Sequence, residues 1–217
     1  MHFIDAWREL SIPDLVRLLA PIVLIVLSTF LPGARVARGV AVLIALFIPG
    51  LREMAAPLWL VAAWMLLWLA IAWRAGGHGE GEPAPIAGRG VFETGTLGLL
   101  LGAALLALLV AAVARQDMSP EDSRRASCGA LLIGAGMLHL MLRRNAWRAA
   151  LAFGAMGLGL QVLDGAARGA QVQRGLSAPG AVWLATALAV MLVFRVAWVR
   201  ERFAGSPWVP DAHDLHD

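Results

Sequence analysis

The chain has 217 residues, 59% of them hydrophobic and 15% charged; its 18 basic side chains, all arginine, stand against 15 acids for a formal charge of +3. Soluble domains are roughly half apolar and a quarter charged, so this make-up excludes an ordinary soluble fold, and a small, dispersed charge marks no nucleic-acid surface. The single cysteine, Cys128, excludes an intrachain disulfide and any cysteine cluster for zinc or iron–sulfur.

Long apolar runs bounded by arginine fill most of the sequence, and a run of about 18 residues or more reads as a bilayer-spanning helix, since a helix satisfies its own backbone in lipid. The expected fold is all-α: a polytopic transmembrane helical bundle of about seven spans, or six. Residues 1–14 form an interfacial segment, 15–202 the transmembrane domain, and 203–217 a polar tail. Arginine in place of lysine, with nine Trp and no Tyr, reads as the codon bias of a GC-rich genome.

Phe3, Ile4, Trp7 and Leu10 recur at helical spacing opposite Asp5, Arg8 and Glu9, the pattern of a short amphipathic helix in the interface. The acids make a poor signal-peptide n-region, so the apolar run that follows is expected to stay as an anchor. Span one covers 15–31 and closes at Pro32-Gly33. Span two, 36–48, is short and stops at Pro49-Gly50; either it tilts little or Arg38 snorkels. Span three, 55–73, has Trp59 and Trp73 near its ends, as in an aromatic belt, and Trp64 and Trp68 together on one face as packing or lipid-facing bulk.

Residues 74–95 are rich in glycine and proline and read as an exposed loop. His78, Glu80 and Glu82 are metal-capable donors there, on a segment without the rigidity a site needs. Span four, 97–114, carries Gly98 and Gly102 in GxxxG spacing, which permits close helix contact. A charged connection at 115–127 leads to span five, 128–142. The turn RRNAWR at 143–148 then makes a tight hairpin with span six, 146–163, whose small residues, Gly157 and Gly159 among them, suit burial between helices. Span seven covers 180–199 and ends in Arg200-Glu201-Arg202.

Ion pathways need ionisable groups at depth, and these helices hold no Asp, Glu or Lys in their midsections. The polar candidates are His139 and Gln161, with Asp164 and Arg195 nearer the membrane edges. His139 reads as a structural hydrogen-bonding group rather than a proton carrier. Asp164 and Arg168 form an i,i+4 surface pair, and Arg195 snorkels or meets an acid on a neighbour. No serine elbow, paired carboxylates, HExxH or phosphate loop is present. With one histidine inside a span, no haem pair is available. The tail DAHDLHD at 211–217 reads as an acidic terminal segment. No catalytic, metal or cofactor site is expected, and the chain is not expected to be an enzyme.

The hairpin MLRRNAWRAALAFGAMGLGL at 141–160, an Arg-Arg-Asn turn followed by a helix with an early glycine, resembles the membrane subunit called hydrogenase-4 component E. That subunit is similar in this hairpin to the K subunit of respiratory complex I. Arg143, Arg144, Asn145 and Gly154 carry the match, and seven spans in this length agree with it. The resemblance implies a membrane subunit of a hydrogenase-like or complex I-like ion-translocating assembly. The family pattern also places a membrane-embedded glutamate on the helix after the turn. Here 154–159 read Gly-Ala-Met-Gly-Leu-Gly, with no acid in any nearby register. The implied role is therefore a non-catalytic scaffold, with other integral membrane subunits and lipid as partners and no nucleic acid. A stand-alone transporter or channel, or an orphan scaffold or assembly protein, is the alternative. The arginines divide almost evenly between the two sides. The dense RRNAWR turn favours a multi-pass inner-membrane protein with its N-terminus outside and its C-terminus in the cytoplasm.

Overall fold

The computed structural model describes residues 10–31, 33–51, 56–77, 100, 102–104, 107–108, 111, 119–142, 145–170 and 180–204. Among them the fold is all-helical, with no strand. The helices are α1 (Ile12–Phe30), α2 (Ala34–Phe47, continued by a 3-10 turn at Ile48–Gly50), α3 (Leu58–Gly77), α4 (Pro120–Leu142), α5 (Ala146–Ala170) and α6 (Ala181–Ala204). Residues 100, 102–104, 107, 108 and 111 are helical as well. The amphipathic pattern at 3–9, the loop carrying His78, Glu80 and Glu82, Gly98, Arg143, Arg144 and the tail at 205–217 lie outside the described residues.

Among the described residues five helices, α1, α3, α4, α5 and α6, are long and apolar enough to cross a membrane. The 14 residues of α2 rise about 21 Å, short of a hydrocarbon core of about 30 Å. It is nevertheless packed on its inner side, where Ala37, Val40, Ala41, Ile44 and Ala45 are buried. This is a membrane-embedded helical bundle.

Two helices begin earlier than their apolar runs suggest, for one reason. Ser11 and Ser119 each sit three residues before an aspartate. Each serine hydroxyl donates to that carboxylate, Asp14 at 2.6 Å and Asp122 at 2.7 Å, and each serine oxygen accepts the aspartate's backbone N–H. This N-terminal cap satisfies an orphan donor and sets a negative charge at the positive end of the helix. Helix α1 therefore starts at Ile12 rather than residue 15. Helix α4 starts at Pro120 rather than Cys128, so most of the expected charged connection forms its first two turns, with Arg125 paired to Glu121 and Asp122. At the other boundary, α5 runs on to Ala170 and places Asp164 inside the helix, where 163 was the expected end.

Helix directions follow from cross-chain contacts. Cys128 Sγ lies 3.9 Å from the Leu18 carbonyl, and His139 meets Thr29, so α1 and α4 run parallel in register. Helices α4 and α5 are antiparallel: a side chain on Gly129 would strike the Gly159 carbonyl at 2.8 Å, and one on Gly136 the Ala152 carbonyl at 2.7 Å. Helix α6 returns antiparallel to α5, with the rings of Trp147 and Phe194 at 5.8 Å and Gly157 against Thr186.

Helix α5 is the hub. Gly159 faces α4, Gly157 faces α6, and Gly154 faces α3, where an added Cβ would lie 3.0 Å from Ile71 and 3.2 Å from the Trp68 ring. Three glycines on three sides let three helices approach one backbone, which suits membrane packing, where van der Waals contact rather than solvent exclusion joins helices. Trp64 and Trp68 are fully buried, whereas Trp59 and Trp73 are exposed near the ends of α3. Gly102 receives Leu138 of α4, which brings the helical residues around 102 onto that side of the bundle.

Candidate functional site

The most polar part of the interior is where α1 ends, α2 begins and the α4–α5 hairpin turns. The orphan carbonyls at a helix C-terminus need donors, and in a membrane-embedded bundle water is a poor source. Arg148, two residues into α5 from Ala146, supplies them. Its guanidinium donates to the Leu31 and Gly33 carbonyls at 3.0 Å each and to the Ser28 carbonyl at 3.5 Å. A cation there also meets the negative end of the α1 dipole. Gly33 links α1 to α2 at φ +106°, a left-handed conformation that glycine adopts without strain.

Asn145 opens α5. Its side-chain oxygen accepts the Trp147 N–H at 2.9 Å, and its carbonyl accepts from Arg148 N and Ala149 N. The turn thus caps two helices at once: Asn145 starts its own, and Arg148 finishes another from across the bundle.

His139, fully buried in the last turn of α4, completes the cluster. Its Nδ1 lies 2.9 Å from Thr29 Oγ1 and 3.3 Å from Ser28 Oγ. Each of those hydroxyls also donates to the Ile25 carbonyl, at 2.9 and 2.8 Å. A hydroxyl has one hydrogen, and with both directed to Ile25 the oxygens present lone pairs to the ring. A proton on Nδ1 fits that pattern. These contacts tie α4 to α1.

The remaining candidates are not gathered here. Gln161, in the middle of α5, is fully buried, and neither its amide oxygen nor its amide nitrogen has a hydrogen-bond partner among the described residues. Asp164 is partly buried one turn further on, and the side chain of Arg168 lies outside the described residues. Arg195 is exposed on the outer side of α6. Of the hairpin residues that carry the resemblance, Asn145 is a helix cap and Gly154 a seat for Trp68. Among the described residues no three His, Cys, Asp or Glu side chains come together as a metal site.

Sequence reasoning missed Arg148, Ser28 and Thr29. Arg148 reads as one more arginine of a basic turn, and the two hydroxyls sit unremarked in an apolar run. One signal was available: adjacent Ser-Thr close to a Pro-Gly break puts donors and acceptors where a span runs out of its own backbone partners.

The chain is a polytopic helical membrane protein with a cluster of buried polar groups at one end of the bundle. Compared with protein-family models, with curated proteins and with solved structures, the chain matches none.

Proposed function

We propose that this chain is a non-catalytic scaffold subunit of an ion-translocating membrane assembly of the hydrogenase-like or complex I-like kind, in an inner membrane with the RRNAWR turn and C-terminus on the cytoplasmic side. The observation that supports this most is where its buried ionisable groups point. Arg148 and His139 are engaged with the α1 terminus of their own chain. Among the described residues no carboxylate occupies the middle of any of the five spans. A proton or cation path needs such groups at intervals through the bilayer. The engagement of Arg148 with backbone carbonyls and of His139 with hydroxyls of the same chain favours holding a shape over passing an ion.

The small-residue stripe of α5 is covered by α3, α4 and α6, so partner subunits would meet other surfaces. The outward sides of α1 and α3, with Val16, Val23, Leu66 and Leu69 exposed, suit that role. Gln161 favours the runner-up, a stand-alone transporter, because an amide sealed at mid-span without a hydrogen bond to any described residue is costly enough to suggest a use.

The test is purification of the tagged full chain in mild detergent with identification of what accompanies it. Stoichiometric recovery of larger antiporter-like or redox subunits supports the scaffold. A monodisperse chain that moves ions or solutes alone in liposomes overturns it in favour of the transporter.

A further inference from the structure

The outer side of α6 carries an arginine where lipid would be. Only 17% of this span is buried within the bundle, and Leu184, Leu188 and Leu192 form an exposed stripe at helical spacing. Arg195 continues that stripe, exposed and with no ion pair to any described residue; Trp198 and Arg202 follow on the same side. The Arg202 guanidinium stacks over the Trp198 ring at 5.2 Å from its centroid. This contact draws Arg202 down the helix by about one turn, in the direction in which helical side chains lean. Arg195 lies three residues, about 4.5 Å of rise, below Trp198 on the other side. Snorkelling of Arg195 toward the water boundary, against that lean, would bring the two cations to either side of Trp198. Glu201, the only acid in the last three turns, lies about 100° round the helix from Arg202.

We infer that this stripe binds one anionic phospholipid, with the headgroup phosphate between Arg195 and Arg202 and an acyl chain along Leu188 and Leu192. The dimensions agree. From Leu188 to Trp198 the helix rises about 15 Å, the half-thickness of a hydrocarbon core of about 30 Å. A phosphate accepts charge-assisted hydrogen bonds from both guanidiniums, and Trp198 sits where an interfacial indole belongs. Two cations on one side of the helix select a net-negative headgroup over a zwitterionic one. The site does not depend on the scaffold reading.

The experiment is native mass spectrometry of the full chain in mild detergent with equal amounts of phosphatidylglycerol and phosphatidylcholine. The wild type should retain phosphatidylglycerol severalfold better. Arg195→Gln with Arg202→Gln should bring the two lipids to parity, while Arg195→Lys with Arg202→Lys keeps a preference. Arg74→Gln, at an exposed arginine at the same end of the bundle, should change nothing. Equal retention by the wild type overturns the site, as does a preference that survives the double glutamine variant. Loss of a co-purifying membrane protein from that variant with lipid retention unaltered would also overturn it, giving the arginines to a partner's carboxylate.

Discussion

Arg148 and Arg195 stand on neighbouring antiparallel helices at the same end of the bundle, and what surrounds each could hardly differ more. Arg148 is buried, and three backbone carbonyls of one chain break answer its charge. Arg195 is exposed on a helix that shows most of its surface to the outside. The first holds the fold together from within; the second addresses whatever lies beyond it. In a sequence where every cation is arginine, residue type carries none of this distinction. It arises because α5 is enclosed on three sides whereas α6 turns most of its surface outward.

Substituting Arg148 should therefore have the largest effect. Arg148→Ala removes two hydrogen bonds of 3.0 Å from a charged donor and leaves the α1 terminus open in a medium with little water. At roughly 1.5–3 kcal/mol for each bond to a charged group, the expected loss is about 3–6 kcal/mol. The measurement is unfolding of the purified protein in a graded detergent mixture. Stability within about 1 kcal/mol of wild type would mean that the α1–α2 break is closed by other donors.

Next in size is Gly157→Leu. The position is enclosed by Thr186, and a Cβ would already overlap that side chain. Forcing α5 and α6 apart should cost about 1–3 kcal/mol and lower membrane accumulation. Thr186→Ala in the same chain should recover part of it, since the threonine side chain is what the new residue meets. A leucine tolerated without loss would mean that α6 rests loosely on α5 and that its outward side is set by something else.

The bundle itself was legible in hydropathy, because lipid forces the backbone into helices whatever the side chains do. Helix starts were legible in principle as well: Ser11 with Asp14 and Ser119 with Asp122 are capping pairs, but the charge at 121–125 disguised the second as a connection. Partnership was not legible. Nothing local to Arg148 shows that its acceptors lie some 115–120 residues earlier, or that His139 would find Thr29 110 residues away. Gly98 and Gly102 drew attention by their spacing, yet the tight approach of α4 to α5 uses Gly129, Gly136 and Gly159, which follow no GxxxG pattern within one helix. Close contact is a property of two facing surfaces, and a single-helix motif records half of it.

His139 shares the cluster with Arg148, but the hydroxyls it meets already have another acceptor. In His139→Leu the hydroxyls of Ser28 and Thr29 keep the Ile25 carbonyl, so the loss should be about 1 kcal/mol. Under the scaffold reading, ion uptake by vesicles carrying the assembled variant should stay within a few-fold of wild type. Groups that relay protons contribute roughly 10²–10⁴-fold. A hundredfold fall with assembly intact would make His139 a relay residue and end the scaffold reading.

Arg195→Gln should have the smallest effect on the isolated fold. The side chain is exposed and touches no described ionic partner, so in a neutral detergent its replacement should shift stability by no more than about 0.5 kcal/mol. The same substitution in Arg148 removes a charge that the fold itself uses, so the two variants measured side by side should differ several-fold in free energy at identical chemistry. Repeating the pair in bilayers separates the two roles further. Adding anionic lipid should stabilise the wild type and leave Arg195→Gln less affected, because a ligand that binds only the folded state raises stability in proportion to its occupancy. The deficit of Arg148→Gln should be insensitive to lipid charge, since its acceptors are carbonyls of its own chain. If Arg195→Gln is instead as damaging as Arg148→Gln in lipid-free detergent, α6 is held by a contact of Arg195 within the chain, and its outward side is not free to meet a lipid.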